Sequence, residues 1–400
     1  MRDVAARRVV SRSAVGPEGE GAIRIRIAGS RGIPGNYGGF ETCAEELATR
    51  LAGRGHEVSV YCLDRYAPGA GPTWRGVRRV VLPAPRLKGL EKPVHAVLSL
   101  LHAAARGADI VLVLGIAAGP FVFLPRAAGA RVIVNTDGLE WRRRKWGALA
   151  SSYLRFAERA VGAAADHLVT DAHCVRDYYR ERYGRESTFI PYGARAVPES
   201  LPGVLERLGL TAGRYVLYVS RFDPENNALV VRRAYERVRG DWPLVMVGAA
   251  PYADDYVRQV RDTRDPRVLF PGAIYGDGYL EILSRAGIYV QASEVGGTHP
   301  ALVEAIGVGR AVVANDVPEH REVLGEAGSY YDGSDAGLAA RLQELIDLPE
   351  RRHEVEAAAR GLADRYDWER IVDDYERLFM ALLGRRPETL HGAESGSDAC

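Results

Sequence analysis

Residues 23–41 read Ile23-Arg24-Ile25-Arg26-Ile27-Ala28-Gly29-Ser30-Arg31-Gly32-Ile33-Pro34-Gly35-Asn36-Tyr37-Gly38-Gly39-Phe40-Glu41. Ile23 to Ala28 is a strand. Five glycines follow before a helix, Phe40 to Ala52, whose Ala44, Leu47, Ala48 and Leu51 fall on one face. Gly53 to Gly55 ends the helix, and Val58 to Tyr61 is the next strand. Strand, loop, helix and strand in that order form the repeating unit of a parallel sheet. A plain strand-to-helix turn rarely needs so many glycines, so a ligand-lining loop is favoured over a structural turn. Glycine lets backbone approach a ligand closely, and the helix start beyond offers N–H groups to an anion. The spacing is not G-x-G-x-x-G, which speaks against a dinucleotide cofactor.

Outward from this unit, apolar strand-like runs recur at Val80–Leu82, Ile110–Leu114, Arg131–Asn135 and His167–Thr170. The pattern restarts at Tyr215–Val219 and continues through Leu244–Val247, Val268–Phe270, Ile288–Gln291 and Ala311–Ala314, with helices between. The expectation is an α/β protein of two Rossmann-like, parallel-sheet domains. Pro198, Pro202, Gly203 and Gly213 break the series, which sets the domains at 22–195 and 196–367. The aromatic-rich helix Trp368 to Leu383 is expected to cross back onto the first domain. Residues 1–21 and 385–400 read as disordered tails, the first without the apolar region of a signal peptide. Ile110 to Leu124 is too short and too rich in Gly and Pro for a membrane span, and reads as a buried strand, a loop and a helix. A formal net charge of +1 on 400 residues provides no global field for nucleic acid. The four cysteines lack metal-ligand spacing and read as thiols of a reducing compartment, hence a cytoplasmic setting.

Candidate site residues lie just after strands. Asn135-Thr136-Asp137-Gly138-Leu139-Glu140-Trp141 follows one, where polar groups face a ligand crevice. Asp137 is either a hydrogen-bond partner for a sugar hydroxyl or a helix N-cap. Arg142-Arg143-Arg144-Lys145-Trp146 suits a phosphorylated or lipid-diphosphate acceptor or an anionic membrane surface, unless it is a solvated helix face; Lys88, Lys92 and His95 extend the same rim. In the second half, Ser220-Arg221-Phe222-Asp223-Pro224-Glu225-Asn226-Asn227 places an Arg where it can clamp a diphosphate, with Asn donors beside it. Glu294-Val295-Gly296-Gly297-Thr298-His299-Pro300-Ala301-Leu302-Val303-Glu304 enters a helix at Pro300, a favoured first-turn residue. With a diphosphate on that helix start, Glu304 points to where a ribose diol lies.

These motifs resemble the family 4 retaining glycosyltransferases of the B fold, in which two such domains face a cleft. From about Ile23 to Leu383 the chain is similar to the rhamnosyltransferase-like branch. The resemblance rests on the loop Gly29 to Glu41, the block Asp137 to Trp141 ending in Lys145-Trp146, Pro224-Glu225-Asn226-Asn227, and Gly296-Gly297-Thr298 with Pro300 and Glu304. It implies that Arg221 contacts the diphosphate, Glu304 binds the ribose, and Gly297, Thr298 and the helix from Pro300 hold phosphate and sugar. Gly272 to Tyr275, including Ile274 and Tyr275, meets the base, while Gly32, Gly38 and Gly39 line the opposite wall. Asp137 takes the place of a His beside the donor sugar. Glu140, Trp141, Arg143, Arg144 and Lys145 face the acceptor. Asn226 stands where the wider family has a Lys, and Gly296 where it has a Glu, for which Glu294 substitutes only if the loop bulges.

The implied reaction is transfer of a sugar, rhamnose from dTDP-rhamnose by resemblance, from a dTDP- or UDP-sugar to a saccharide or polyprenyl-diphosphate-linked acceptor. Leaving-group stabilisation by Arg221 and the helix start is its main catalytic effect. No Asp-x-Asp stands at a strand end, so neither metal nor further cofactor is expected. The competing readings are a sugar-nucleotide epimerase, for which no acid/base set is visible, and a sugar-nucleotide-binding scaffold. The expected location is the cytoplasm, with peripheral contact at the inner face of the plasma membrane.

Overall fold

The computed structural model describes residues 21–35, 38–66, 71–87, 89–143, 146–249 and 254–385. Apart from Gly21 and Arg385, both expected tails lie outside these residues, as do Lys88, Arg144 and Lys145.

The first sheet contains β1 (Arg24–Ala28), β2 (Glu57–Leu63), β3 (Thr73–Trp74), β4 (Val77–Leu82), β5 (Ile110–Leu114), β6 (Arg131–Asn135), β7 (His167–Thr170) and β8 (Ser187–Phe189). Their spatial order is β3-β4-β2-β1-β5-β6-β7-β8, parallel except for the β3–β4 pair. The second sheet contains β9 (Val216–Val219), β10 (Leu244–Val247), β11 (Val268–Gly272), β12 (Ile288–Gln291), β13 (Ala311–Asn315) and β14 (Ser329–Tyr331). It is parallel throughout, in the order β11-β10-β9-β12-β13-β14. In both sheets the order reverses beside the first strand, at β1/β5 and at β9/β12. Such a switch point opens a crevice at the carboxyl ends of the strands. Two Rossmann-like α/β domains face a cleft.

The pattern of β1 shows why the chain folds this way. Ile25 and Ile27 enter one core with Leu47 and Leu51 of the helix Gly39–Gly53. Arg26, on the other face, is buried because its Nε donates to the Gly107 carbonyl at 2.7 Å. β5 and β6 are apolar nearly throughout, because helices cover both their faces. The stretch after β5 turns through a loop into a short helix, Phe123–Ala127. Among the described residues, no helix is long and apolar enough to cross a membrane.

The helix Trp368–Leu382 crosses back from the second domain. Asp367 caps it by accepting from the Glu369 and Arg370 amides. Trp368, Ile371, Val372, Tyr375 and Phe379 complete the core that holds Ile23, Ile25 and Leu47. Arg54 of the first domain meets Glu369, Asp373 and Glu376 at 2.6–2.9 Å. At the crossover, the Ala194 amide donates to the Tyr366 carbonyl at 2.7 Å.

Candidate active site

A cavity of about 340 Å³ lies between the domains, where the carboxyl ends of both sheets meet. Its second-domain wall is built from the loops after β9 and β12. Arg221 lines it, with Asp223 at 3.3 Å. Asn226 lines it too, but its Nδ2 donates to the Arg221 carbonyl at 2.8 Å, so the amide braces the loop. Gly296, Gly297 and Thr298 then lead to the helix Pro300–Gly307, whose first turn carries neither an acid nor a side-chain cap. Glu304 lies one turn further in. It is buried, and its Oε1 accepts from Arg195 Nε at 2.6 Å. Ile274 and Tyr275 also line the cavity, with Tyr275 the more exposed.

The first-domain wall contains Gly38 and Gly39, then Asp137, Glu140 and Arg143. Asp137 is not a helix cap. It has a left-handed backbone (φ 54°), and its amide donates to Asn135 Oδ1 at 3.0 Å. Asn135 Nδ2 in turn donates to the Tyr375 hydroxyl, also at 3.0 Å. Burial pushes the Asp137 carboxyl above its ordinary range, and the charge of Arg143 opposes the shift. At the start of the helix Gly39–Gly53, Glu41 is buried and accepts from the Arg31 amide at 2.8 Å. A carboxylate thus already stands where the sequence suggested an anion, leaving the Pro300 helix as the acid-free helix start.

The walls are tied together. Buried Asp171, just after β7, accepts the Thr298 amide on Oδ2 at 3.0 Å, and the Thr298 hydroxyl donates to the Asp171 carbonyl. Burial, and then the nearby charge of Asp137, push the Asp171 carboxyl well up. His299, beside them, is held neutral by burial, by His320 and by Arg143. Among the described residues, no cluster of His, Cys, Asp and Glu is placed to hold a metal ion.

Residues 213–348 match the family described as glycosyl transferases group 1. Residues 23–195 match a domain of unknown function (DUF1972). The chain is a glycosyltransferase whose residues 213–348 match the group 1 family. It is 26% identical over 374 residues to the phosphatidyl-myo-inositol mannosyltransferase of Mycobacterium tuberculosis, covering 87% of this chain and 94% of that protein. It is 30% identical over 193 residues to the O-antigen chain mannosyltransferase B of Escherichia coli. That match spans 46% of this chain and about half of the relative, 49%. Among solved structures, sucrose-phosphate synthase from Thermosynechococcus elongatus superposes with a TM-score of 0.75 at 19% identity, over 90% of this chain and 99% of the other, a likeness of fold.

Several expected residues of the glycosyltransferase stand away from the cavity. Gly32 is packed on β2, where an added Cβ would lie 2.6 Å from Cys62 Sγ; with φ at 117° its glycine serves the turn. Trp141 is turned inward and donates to Glu158 Oε2 at 3.0 Å. Glu294 accepts from Asn227 Nδ2 at 3.1 Å and does not line the cavity, so no bulge brings it into the place of the absent acid. The basic run is not one helix face: Arg142 covers the Trp141 ring while Arg143 points into the cleft. Lys92 lines the cavity, whereas His95 is buried, and burial lowers its pKa to about 4. Arg195, Tyr192, Glu41 and Asp171 escaped the sequence reading. Asp171 had a visible signal, as an acid directly after the run His167–Thr170.

Proposed function

We propose that this glycosyltransferase moves a sugar, with retention of configuration, from a nucleotide diphosphate to a saccharide or polyprenyl-diphosphate-linked saccharide in cell-surface polysaccharide synthesis. One arrangement carries the reading. Arg221, the Gly297–Thr298 turn, the acid-free start of the helix Pro300–Gly307 and buried Glu304 line one cavity, opposite Gly38, Gly39 and Asp137. The diphosphate rests on Arg221 and the helix start, the ribose on Glu304, and the base beside Ile274 and Tyr275. The acceptor oxygen bonds to the anomeric carbon as its bond to the phosphate oxygen breaks, and that oxygen takes the acceptor's proton. The leaving charge is met by cations and amides. Turnover is therefore expected without added metal; loss with EDTA, restored by Mn²⁺ or Mg²⁺, would refute this.

We favour dTDP-rhamnose as donor, on the motifs shared with the rhamnosyltransferase-like branch. The mannosyltransferase names of both relatives favour a mannose nucleotide as the second reading. Leu149 and Phe156, 90% and 60% exposed on the helix Ala148–Ala164, stand with Arg155 on the first domain and support peripheral contact at the inner face of the plasma membrane. A thermal-shift comparison of dTDP-, UDP- and GDP-sugars tests the donor, since the ligand that binds the folded state raises the melting temperature. No shift with any nucleotide would overturn the reading. Arg221→Ala and Glu304→Ala should abolish turnover, and a wild-type protein without turnover would be a scaffold.

A further inference from the structure

The sequence sets Arg143 on an acceptor rim, but the structure turns it into the cleft. Its side chain is only 13% exposed and meets Glu140 Oε2 through Nε at 2.7 Å. Burial acts to lower its pKa, but the carboxylates of Glu140, Asp137, Glu225 and Asp223 outweigh that and hold it raised. Two of these acids belong to the first-domain loop after β6. The other two belong to the second-domain loop after β9, the loop that carries Arg221. The guanidinium therefore sits in the field of both walls, and its charge is also felt by His299 at the start of the Pro300 helix.

The other cations of the cavity are engaged. Arg195 is committed to Glu304 at 2.6 Å, Arg31 meets Glu91 at 3.3 Å, and Lys92 covers the Phe40 ring. On the loop after β9, Arg221 is the single cation, and it shares its charge with Asp223. A diphosphate brings about two negative charges, and a planar guanidinium offers a phosphate two parallel N–H groups. Arg143 holds Glu140 by Nε, while its Nη groups supply such a fork.

We infer that Arg143 is a first-domain contact to the donor diphosphate, meeting from the opposite wall the phosphate held by Arg221 and the helix from Pro300, with Glu140 as its positioning residue. The inference rests on the donor-site reading above. It splits the charge that stabilises the leaving group between two domains, so that only the closed cleft assembles it.

The test is calorimetric titration of wild type, Arg143→Met and Arg143→Lys with UDP, GDP and dTDP and with the matching monophosphates. For the diphosphate that wild type binds, Arg143→Met should weaken affinity by about 10- to 100-fold, the range of a charged hydrogen bond. Monophosphate affinity should be unchanged. Arg143→Lys keeps the charge without the fork and should fall between. An equal loss for diphosphate and monophosphate would mean a structural role and overturn the inference. So would unchanged nucleotide affinity with a raised acceptor KM. If Arg143→Met does not fold, an unchanged diphosphate-to-monophosphate ratio in Arg143→Lys overturns it instead. Failure of wild type to bind any of the nucleotides would overturn the donor-site reading, and this inference with it.

Discussion

Gly138→Ala tests whether the two walls must touch for the enzyme to work. Gly138 lies in the first-domain loop after β6, and a Cβ there would stand 2.5 Å from the Gly296 carbonyl carbon and the Gly297 amide nitrogen across the cleft. Its backbone is not left-handed, so alanine adds no local strain. Nor can the opposing loop easily retreat, because the next amide, that of Thr298, is held by Asp171 at 3.0 Å. Restoring ordinary van der Waals contact requires the walls to part by roughly 1 Å, and a displacement of that size at a reacting centre costs up to about 100-fold in rate. The second-domain contacts to a nucleotide stay in place. Transfer kcat should therefore fall by about 30- to 100-fold while nucleotide affinity holds. Interdomain opening relieves the overlap but stretches the buried Asp171–Thr298 bond across the cleft, so stability should fall by about 1–3 kcal/mol. Gly147→Ala is the control, since nothing lies within 4 Å of its added Cβ. The assay is steady-state transfer or donor hydrolysis, with a thermal melt of each variant. Wild-type kcat in Gly138→Ala would refute the claim that this close approach belongs to the working state.

Two further outcomes follow from buried polar groups. Because the folded-state pKa of Asp171 is raised, folding takes up a proton there. The linked stability is complete below the ordinary carboxylate range and fades as pH rises through the raised value. Asp171→Asn stays neutral and retains an Oδ acceptor for Thr298. It should flatten the decline in melting temperature as pH rises above the ordinary carboxylate range, and an unchanged slope would count against the assignment. Tyr375→Phe removes the acceptor of the Asn135 side chain, which holds the Asp137 amide. It should cost about 1–3 kcal/mol in denaturant melts and lower kcat as Asp137 loosens; full activity would show that Asp137 needs no such support.

Interior strands were legible for a physical reason. β5, β6, β7, β10 and β12 begin and end where the apolar runs do, because a strand covered on both faces has no polar alternation to blur its limits. Thr73–Trp74, Ser187–Phe189 and Ser329–Tyr331 were not seen. They are edge strands of two or three residues, partly exposed, whose pairing is decided by a neighbour such as Leu168 opposite Ser187. The helix face Ala44, Leu47, Ala48 and Leu51 was legible because its 3.6-residue period lies within one segment.

The same distinction divides the site. Arg221, Gly297, Thr298, Pro300 and Glu304 stand in contiguous strand–loop–helix runs, and local spacing was enough to bring them to notice. What holds them was not readable, because the partners are remote. Arg195 reaches Glu304 over 109 residues, Asp171 reaches Thr298 over 127, and Asn135 reaches Tyr375 over 240. No periodicity links such pairs; only the closed pair of domains and the returning C-terminal helix bring them together. Arg143 shows the consequence. Read beside its neighbours in sequence it belongs to a basic rim, yet the acids that fix its charge include Asp223 and Glu225, which are its neighbours only across the cleft. Arg143 draws its electrostatic environment from both walls, so on the donor-site proposal above the chemistry of this site and the closure of its cleft are one requirement.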